Sequence, residues 1–167
     1  DSSFSRRDPS KVIEVNGTYY VYYTRGEATS SHWYNTNWGK YIPGVTPESD
    51  KVFTWDYCDL YYATSTDGYH WTEQGAAVLR GATGAYDDRS VFTPEVLVHE
   101  GKYYLVYQVV KSPYLERVKN NVGMAIADSP NGPFVKLDTP ILSPTNNGKW
   151  SAGSTSRKAA DKKGDFD

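Results

Sequence analysis

The chain carries one strand–turn–strand pattern twice. Val12-Ile13-Glu14-Val15 leads through Asn16-Gly17 into Thr18-Tyr19-Tyr20-Val21-Tyr22-Tyr23, and 84 residues later Val96-Leu97-Val98-His99 leads through Glu100-Gly101 into Lys102-Tyr103-Tyr104-Leu105-Val106-Tyr107. Asn-Gly between two β-prone runs is a strong hairpin signal. That turn explains Asn16-Gly17-Thr18 better than the glycosylation sequon it also matches. A second pair of segments repeats at an offset of 64: Leu60–Ser65 before Asp67-Gly68, and Gly123–Ser129 before Asn131-Gly132. Each unit therefore reads as four short strands, with turns between the first and second and between the third and fourth. Tandem four-stranded units predict an all-β fold, a β-propeller. A β-sandwich would have similar strands without such a repeat. The units divide the chain into a blade over about 8–80, a second over about 88–142 and the start of a third over about 143–167. Two units do not close a ring of the usual four to eight blades, so the sequence reads as part of a longer propeller. Between Tyr23 and Leu60 the first unit holds an insertion, Gly26 to Trp55, rich in Ser, Asn, Gly, Pro and aromatics. Long loops of this kind in compact domains are usually functional.

Composition narrows the function classes. A net charge of -2 gives no electrostatic case for nucleic acid or an anionic membrane surface. No apolar run reaches membrane-spanning length, and no signal peptide is visible at Asp1. The single cysteine, Cys58, excludes an internal disulfide and reads as a small buried hydrophobe within the run Tyr57 to Tyr62. The chain has 15 Tyr and 5 Trp, and such rings suit strands and sugar faces alike.

In a propeller the first strand of each blade lines the central channel. Asp8 falls at the head of that strand in unit one. Thr93-Pro94-Glu95 falls at the corresponding point of unit two, one residue out of register. Carboxylates around one cavity are what glycosidic bond cleavage needs, one to protonate the leaving oxygen and one to act on water. Arg6 or Arg7 beside Asp8 would favour its ionised form, which suits a base. Pro9 fixes the backbone that follows. An ordinary surface charge cluster fits Arg6-Arg7-Asp8 as well, and a surface glutamate fits Glu95. Asp87-Asp88-Arg89 has oxygens for a metal, but adjacent aspartates in a turn more often cap or sit in solvent. His32, His70 and His99 show no ligand spacing; His32, in the aromatic insertion, is the one to watch. Trp71 sits on a repeat strand and is expected in the core. Trp33, Trp38 and Trp55 fall in or beside the insertion, where they could stack on sugars. Gln108 interrupts an apolar run, on either the channel wall or the solvent face.

The strings Arg6-Arg7-Asp8-Pro9-Ser10-Lys11-Val12-Ile13, Phe92-Thr93-Pro94-Glu95-Val96 and Lys102–Gln108 together resemble the α-neoagarobiose hydrolases (3,6-anhydro-α-L-galactosidases, glycoside hydrolase family 117). That family belongs to the five-bladed arabinanase-like propeller clan. The resemblance implies a five-bladed propeller of which this chain supplies about two blades and the start of a third. It implies exo-acting, inverting release of 3,6-anhydro-L-galactose from the non-reducing end of agar-derived oligosaccharides. Asp8 matches the family's general base. Thr93, Glu95 and Gln108 match positions that hydrogen-bond the sugar, and Trp55 matches an aromatic contact. The general acid, a histidine, and a further aspartate lie in later blades, and Gly164-Asp165-Phe166-Asp167 resembles the lead-in to the third. No cofactor is required by this reading, with a divalent cation in the channel left open. The resemblance also implies a homodimer formed through segments outside this chain, and a periplasmic or secreted bacterial protein. An arabinofuranosidase or xylosidase of the same clan, and a non-catalytic carbohydrate-binding propeller, are the alternatives.

Overall fold

The computed structural model describes residues 3–27, 56–112 and 120–143. They form two antiparallel sheets. The first contains β1 (Phe4–Arg7), β2 (Ile13–Val15), β3 (Thr18–Glu27), β4 (Asp59–Ser65) and β5 (Thr72–Val78). The second contains β6 (Ser90–His99), β7 (Lys102–Val110), β8 (Asn121–Ala127) and β9 (Val135–Lys136), in that order. β1 and β2 pair with successive stretches of β3, Arg7 opposite Thr24 and Ile13 opposite Tyr20. They are therefore one inner strand broken over residues 8–12. β3 continues to Glu27, so Gly26, expected at the start of the insertion, instead pairs with Ser5.

The turns follow from backbone chemistry. Asn16 and Gly17 lie at φ 51° and 77°, and Glu100 and Gly101 at 49° and 74°. Both central residues of each hairpin are thus left-handed, the form whose twist matches that of the flanking strands. The strand ladders also correct the second offset. Ser65 lies opposite Tyr19 and Ala127 opposite Tyr103, a shift of 62 rather than 64. The two additional residues belong to the longer turn of the second unit.

Alternate residues of a strand face opposite sides of its sheet. Tyr20 and Tyr22, with Leu60 and Val78, present one face of the first blade to Val91, Val96, Leu105, Tyr107, Val109 and Ala125 of the second. This is the core. The Tyr22 hydroxyl crosses to the second blade and donates to Pro130 O at 2.7 Å, and its ring meets Phe134 edge-on with centroids 5.6 Å apart. On the far side of blade two, Tyr104, Val106, Val122, Met124 and Ile126 remain half-buried, an apolar surface of the kind that another layer covers.

Cys58 is fully buried, as expected, but it also works as a joint between the blades. Its N–H donates to Ser90 Oγ and its carbonyl accepts from Val91 N. Trp71 departs from the expectation of a core residue. It is 37% exposed, because it follows the Asp67-Gly68 turn and its indole N–H reaches back to Gly68 O at 3.1 Å.

Candidate active site

The break in the first inner strand and a bulge in the second are the same device. In β6 the register shifts between Phe92 and Glu95. Asp8 lies at φ 49° and Thr93 at φ 51°, each followed by proline. A residue before proline is steered towards extended backbone, so a non-glycine residue held left-handed there is strained. Such strain persists only where the surrounding structure enforces it, and it clusters at functional sites. Phe92 opposite Gln108 is the counterpart of Arg7 opposite Thr24. The ladder therefore makes Thr93 the counterpart of Asp8, and Glu95 the counterpart of Ser10. The string Thr93-Pro94-Glu95 thus corresponds to Asp8-Pro9-Ser10, and the two carboxylates come from different steps of the repeat.

They nevertheless share one hollow. Asp8, Pro9, Thr93, Pro94, Glu95 and Gln108 line a pocket of about 460 Å³, floored by Val106, Tyr107 and Val122. That lies within the roughly 300–1,000 Å³ typical of small-molecule sites. Gln108, which the sequence left between channel wall and solvent, is on the wall. Blade one supports blade two directly: Thr24, fully buried at the position matching Gln108, accepts the Thr93 N–H on Oγ1 at 2.8 Å. Ser10 fastens the far side of the break, with its N–H on Tyr22 O at 2.8 Å and its hydroxyl accepting from Tyr22 N at 3.1 Å.

Each carboxylate has a cation beside it. Arg7 Nε stands 3.4 Å from Asp8 Oδ2, and Lys11 Nζ stands 3.6 Å from Glu95 Oε1, across the blade boundary. Arg7 also reaches Cys58 Sγ at 3.5 Å, which ties the Asp8 neighbour to the inter-blade joint. Arg6 turns away and pairs with Glu73 at 2.8 Å. That pairing, with the Tyr23 hydroxyl adding to it, holds the Glu73 carboxyl below the usual glutamate range.

The Asp87-Asp88-Arg89 run is structural and only partly as expected. Asp88 caps, accepting from Gly84 N and Ser112 N at 2.7 Å each. Asp87 is buried rather than solvated and binds Lys136 Nζ at 2.7 Å. Arg89 is buried against Asp56. Among the described residues no group of three or more His, Cys, Asp or Glu could hold a metal ion. His70 and His99 are exposed. Trp55, His32, Trp33, Trp38 and the Gly164–Asp167 string lie outside the described residues. Sequence reasoning passed over Thr24, Lys11 and Asn120. Thr24 was within reach, since the hairpin offset of 84 sets it against Gln108; nothing local marks the other two.

Two sheets of this topology, whose strained inner strands bring carboxylates to one pocket beside the Gln108 amide of β7, define part of a carbohydrate-active propeller. The family model for glycosyl hydrolases family 43 matches residues 6–152, and the chain belongs to that family. Within the five-bladed arabinanase-like clan, the resemblance to family 117 is borne out by Zg3597, a family 117 glycoside hydrolase produced by the marine bacterium Zobellia galactanivorans. It matches with a TM-score of 0.69 at 38% identity, over 81% of this chain and 38% of that one. The GH43_1 enzyme from Xanthomonas citri complexed with xylose matches with a TM-score of 0.60 at 19% identity, over 86% and 36%. CoXyl43, a GH43 beta-xylosidase/alpha-arabinofuranosidase from a compost microbial metagenome, matches with a TM-score of 0.59 at 22% identity, over 86% and 38%. These last two are likenesses of fold. No curated protein matches the chain. The chain spans well under half the length of the solved relatives, and its described part is two blades of the five-bladed ring.

Proposed function

We propose that the complete propeller is an exo-acting, inverting glycoside hydrolase that releases 3,6-anhydro-L-galactose from the non-reducing end of neoagaro-oligosaccharides. Asp8 is the general base in this reading: it takes a proton from water as the water attacks the anomeric carbon. The observation that carries the reading is the left-handed Asp8 at the break in its strand, lining one pocket with Thr93, Glu95 and Gln108. A strand that ran straight through would not need this strain. The likeness to a family 117 enzyme at 38% identity supports the substrate class. Inversion requires the acid and base to stand roughly 6.5–9.5 Å apart, leaving room for water between them. A propeller meets this requirement by placing the two on different blades, and the family resemblance assigns the acid to a later blade. The apolar face of an anhydro sugar suits aromatic contact, with Thr93, Glu95 and Gln108 fixing its orientation by hydrogen bonds.

The match to the family 43 model favours a second reading, removal of arabinose or xylose. Full-length protein incubated with neoagarobiose, arabino-oligosaccharides and xylo-oligosaccharides separates the two. The proposal expects free 3,6-anhydro-L-galactose, with the newly formed anomer inverted when followed by NMR. Pentose release without anhydrogalactose overturns it in favour of the second reading. Binding of neoagarobiose without cleavage of any of the three points instead to a carbohydrate-binding propeller.

A further inference from the structure

We propose that Asn120 is a positioning residue that holds Gln108 as a hydrogen-bond donor towards the sugar. The inference rests on the reading of the pocket given above. Asn120, immediately before β8, is buried with 8% exposure, and its Nδ2 donates to Gln108 Oε1 at 3.0 Å. An amide offers an acceptor oxygen and a donor NH2 that shape alone does not tell apart. With its oxygen held by Asn120, Gln108 has only Nε2 to turn to the pocket it lines. That group has no hydrogen bond among the described residues. The reverse arrangement would have Asn120 accept from Gln108 Nε2, and would present the Gln108 oxygen to the sugar.

Two observations set Asn120 apart from a residue that merely fills space. The first is the contrast between blades. Thr24, the counterpart of Gln108 in blade one, uses its side chain on the Thr93 N–H and so joins the blades. Gln108 makes no such joint and is held instead from behind, by Asn120. The second is that Asn120 Oδ1 is buried without a hydrogen-bond partner among the described residues. A buried polar atom left in this way is costly, and native structures keep few of them. The donor Nδ2 is the part of the side chain that is used. A donor at Gln108 suits oxygens that can only accept, such as ring oxygens and the bridging ether of an anhydro sugar.

Steady-state kinetics of the full-length protein on neoagarobiose test the proposal, with Asn120→Asp as the main variant. The carboxylate has nearly the same shape but no N–H, so Gln108 must reverse its amide to bond it. The expected result is a KM raised roughly tenfold, equivalent to one lost hydrogen bond, with a smaller fall in kcat; the melting temperature should also fall, because the new carboxylate is buried. Gln108→Glu keeps an acceptor for Asn120 and removes the N–H towards the sugar; the same rise in KM is expected. A KM within about twofold of wild type in Asn120→Asp overturns the proposal, since a lost hydrogen bond shows as a larger change. If Asn120→Asp does not fold, an unchanged KM in Gln108→Glu overturns it in the same way. Indifferent Asn120 and Gln108 variants in an enzyme that Asp8→Asn silences sink this inference alone. A wild type that does not cleave neoagarobiose sinks the reading of the site and this inference with it.

Discussion

Replacing Arg89 by leucine should unfold the protein far more easily than an ordinary core substitution. Arg89 and Asp56 form a two-pronged pair, Nε to Oδ1 at 3.3 Å and Nη2 to Oδ2 at 3.2 Å. Their side chains are 1% and 0% exposed, and the guanidinium also lies over the Tyr57 ring at 4.6 Å. Next to the pair, Tyr57 N donates to Arg89 O and Arg89 N to Val110 O, so it fastens the head of β6 to the chain leading into β4. A surface pair would contribute about 0–1 kcal/mol. Here the substitution strands the Asp56 carboxylate inside the protein without its cation, which costs about 3–5 kcal/mol. For a chain of this length that corresponds to a fall in Tm of roughly 6–20 °C, at about 2–4 °C per kcal/mol. The double replacement Asp56→Leu with Arg89→Leu removes both charges and should recover much of the loss, because a buried pair stabilises little relative to apolar side chains of similar size. Scanning calorimetry on the wild type, the two single variants and the double variant measures this. A loss below about 1 kcal/mol in Arg89→Leu, the range of an exposed pair, would refute the argument.

Thr24→Val removes the acceptor for the Thr93 N–H while keeping the shape. It should cost about 1–2 kcal/mol in urea unfolding and raise KM, since Thr93 loses its tie to blade one; unchanged values in both would separate the strained backbone from this contact. At high pH the protein should lose stability as pH rises above the usual tyrosine value of 10.0, because burial raises the Tyr22 and Tyr107 hydroxyls and the folded state holds their protons more tightly than the unfolded chain. Their contribution is complete below that value and lost above it. A urea midpoint that stays flat from neutral to strongly alkaline pH would contradict this. Gly123→Ala places a methyl group 2.7 Å from Tyr107 Cε2 and 3.1 Å from Val109 Cγ1. It should cost about 1–3 kcal/mol and lower kcat/KM by pushing Tyr107 into the pocket, as Tm and steady-state kinetics would report.

The repeat was legible because hairpins are written locally. Asn16-Gly17 and Glu100-Gly101 dictate left-handed turns, and the alternation around them dictates strands. The division of labour between blades was less legible. Thr24 and Gln108 occupy matching ladder positions, yet one joins the blades and the other lines the pocket, and only the inter-blade contact distinguishes them. Aligning the two units on their glycine turns sets Asp8 against Phe92, one residue short of Thr93, whereas the ladder makes Thr93 its counterpart. One residue more in the broken strand of blade one than in the bulged strand of blade two accounts for the slip. Trp71 misled because a tryptophan beside a strand usually packs inward, while here the turn geometry ties its indole N–H to Gly68. Arg89 gave no signal at all: its partner Asp56 is distant in sequence, and an arginine in a charged run reads as surface until the fold buries it.

The role of Asp8 is tested most directly by single-turnover cleavage of neoagarobiose with Asp8→Asn in the full-length protein, alongside a check that the variant still binds the sugar. If Asp8 removes a proton from the attacking water, cleavage should fall by about 10²–10⁴-fold, the contribution of a positioned general base, with binding retained. Cleavage within about tenfold of wild type by a variant that still binds would show that the proton goes elsewhere.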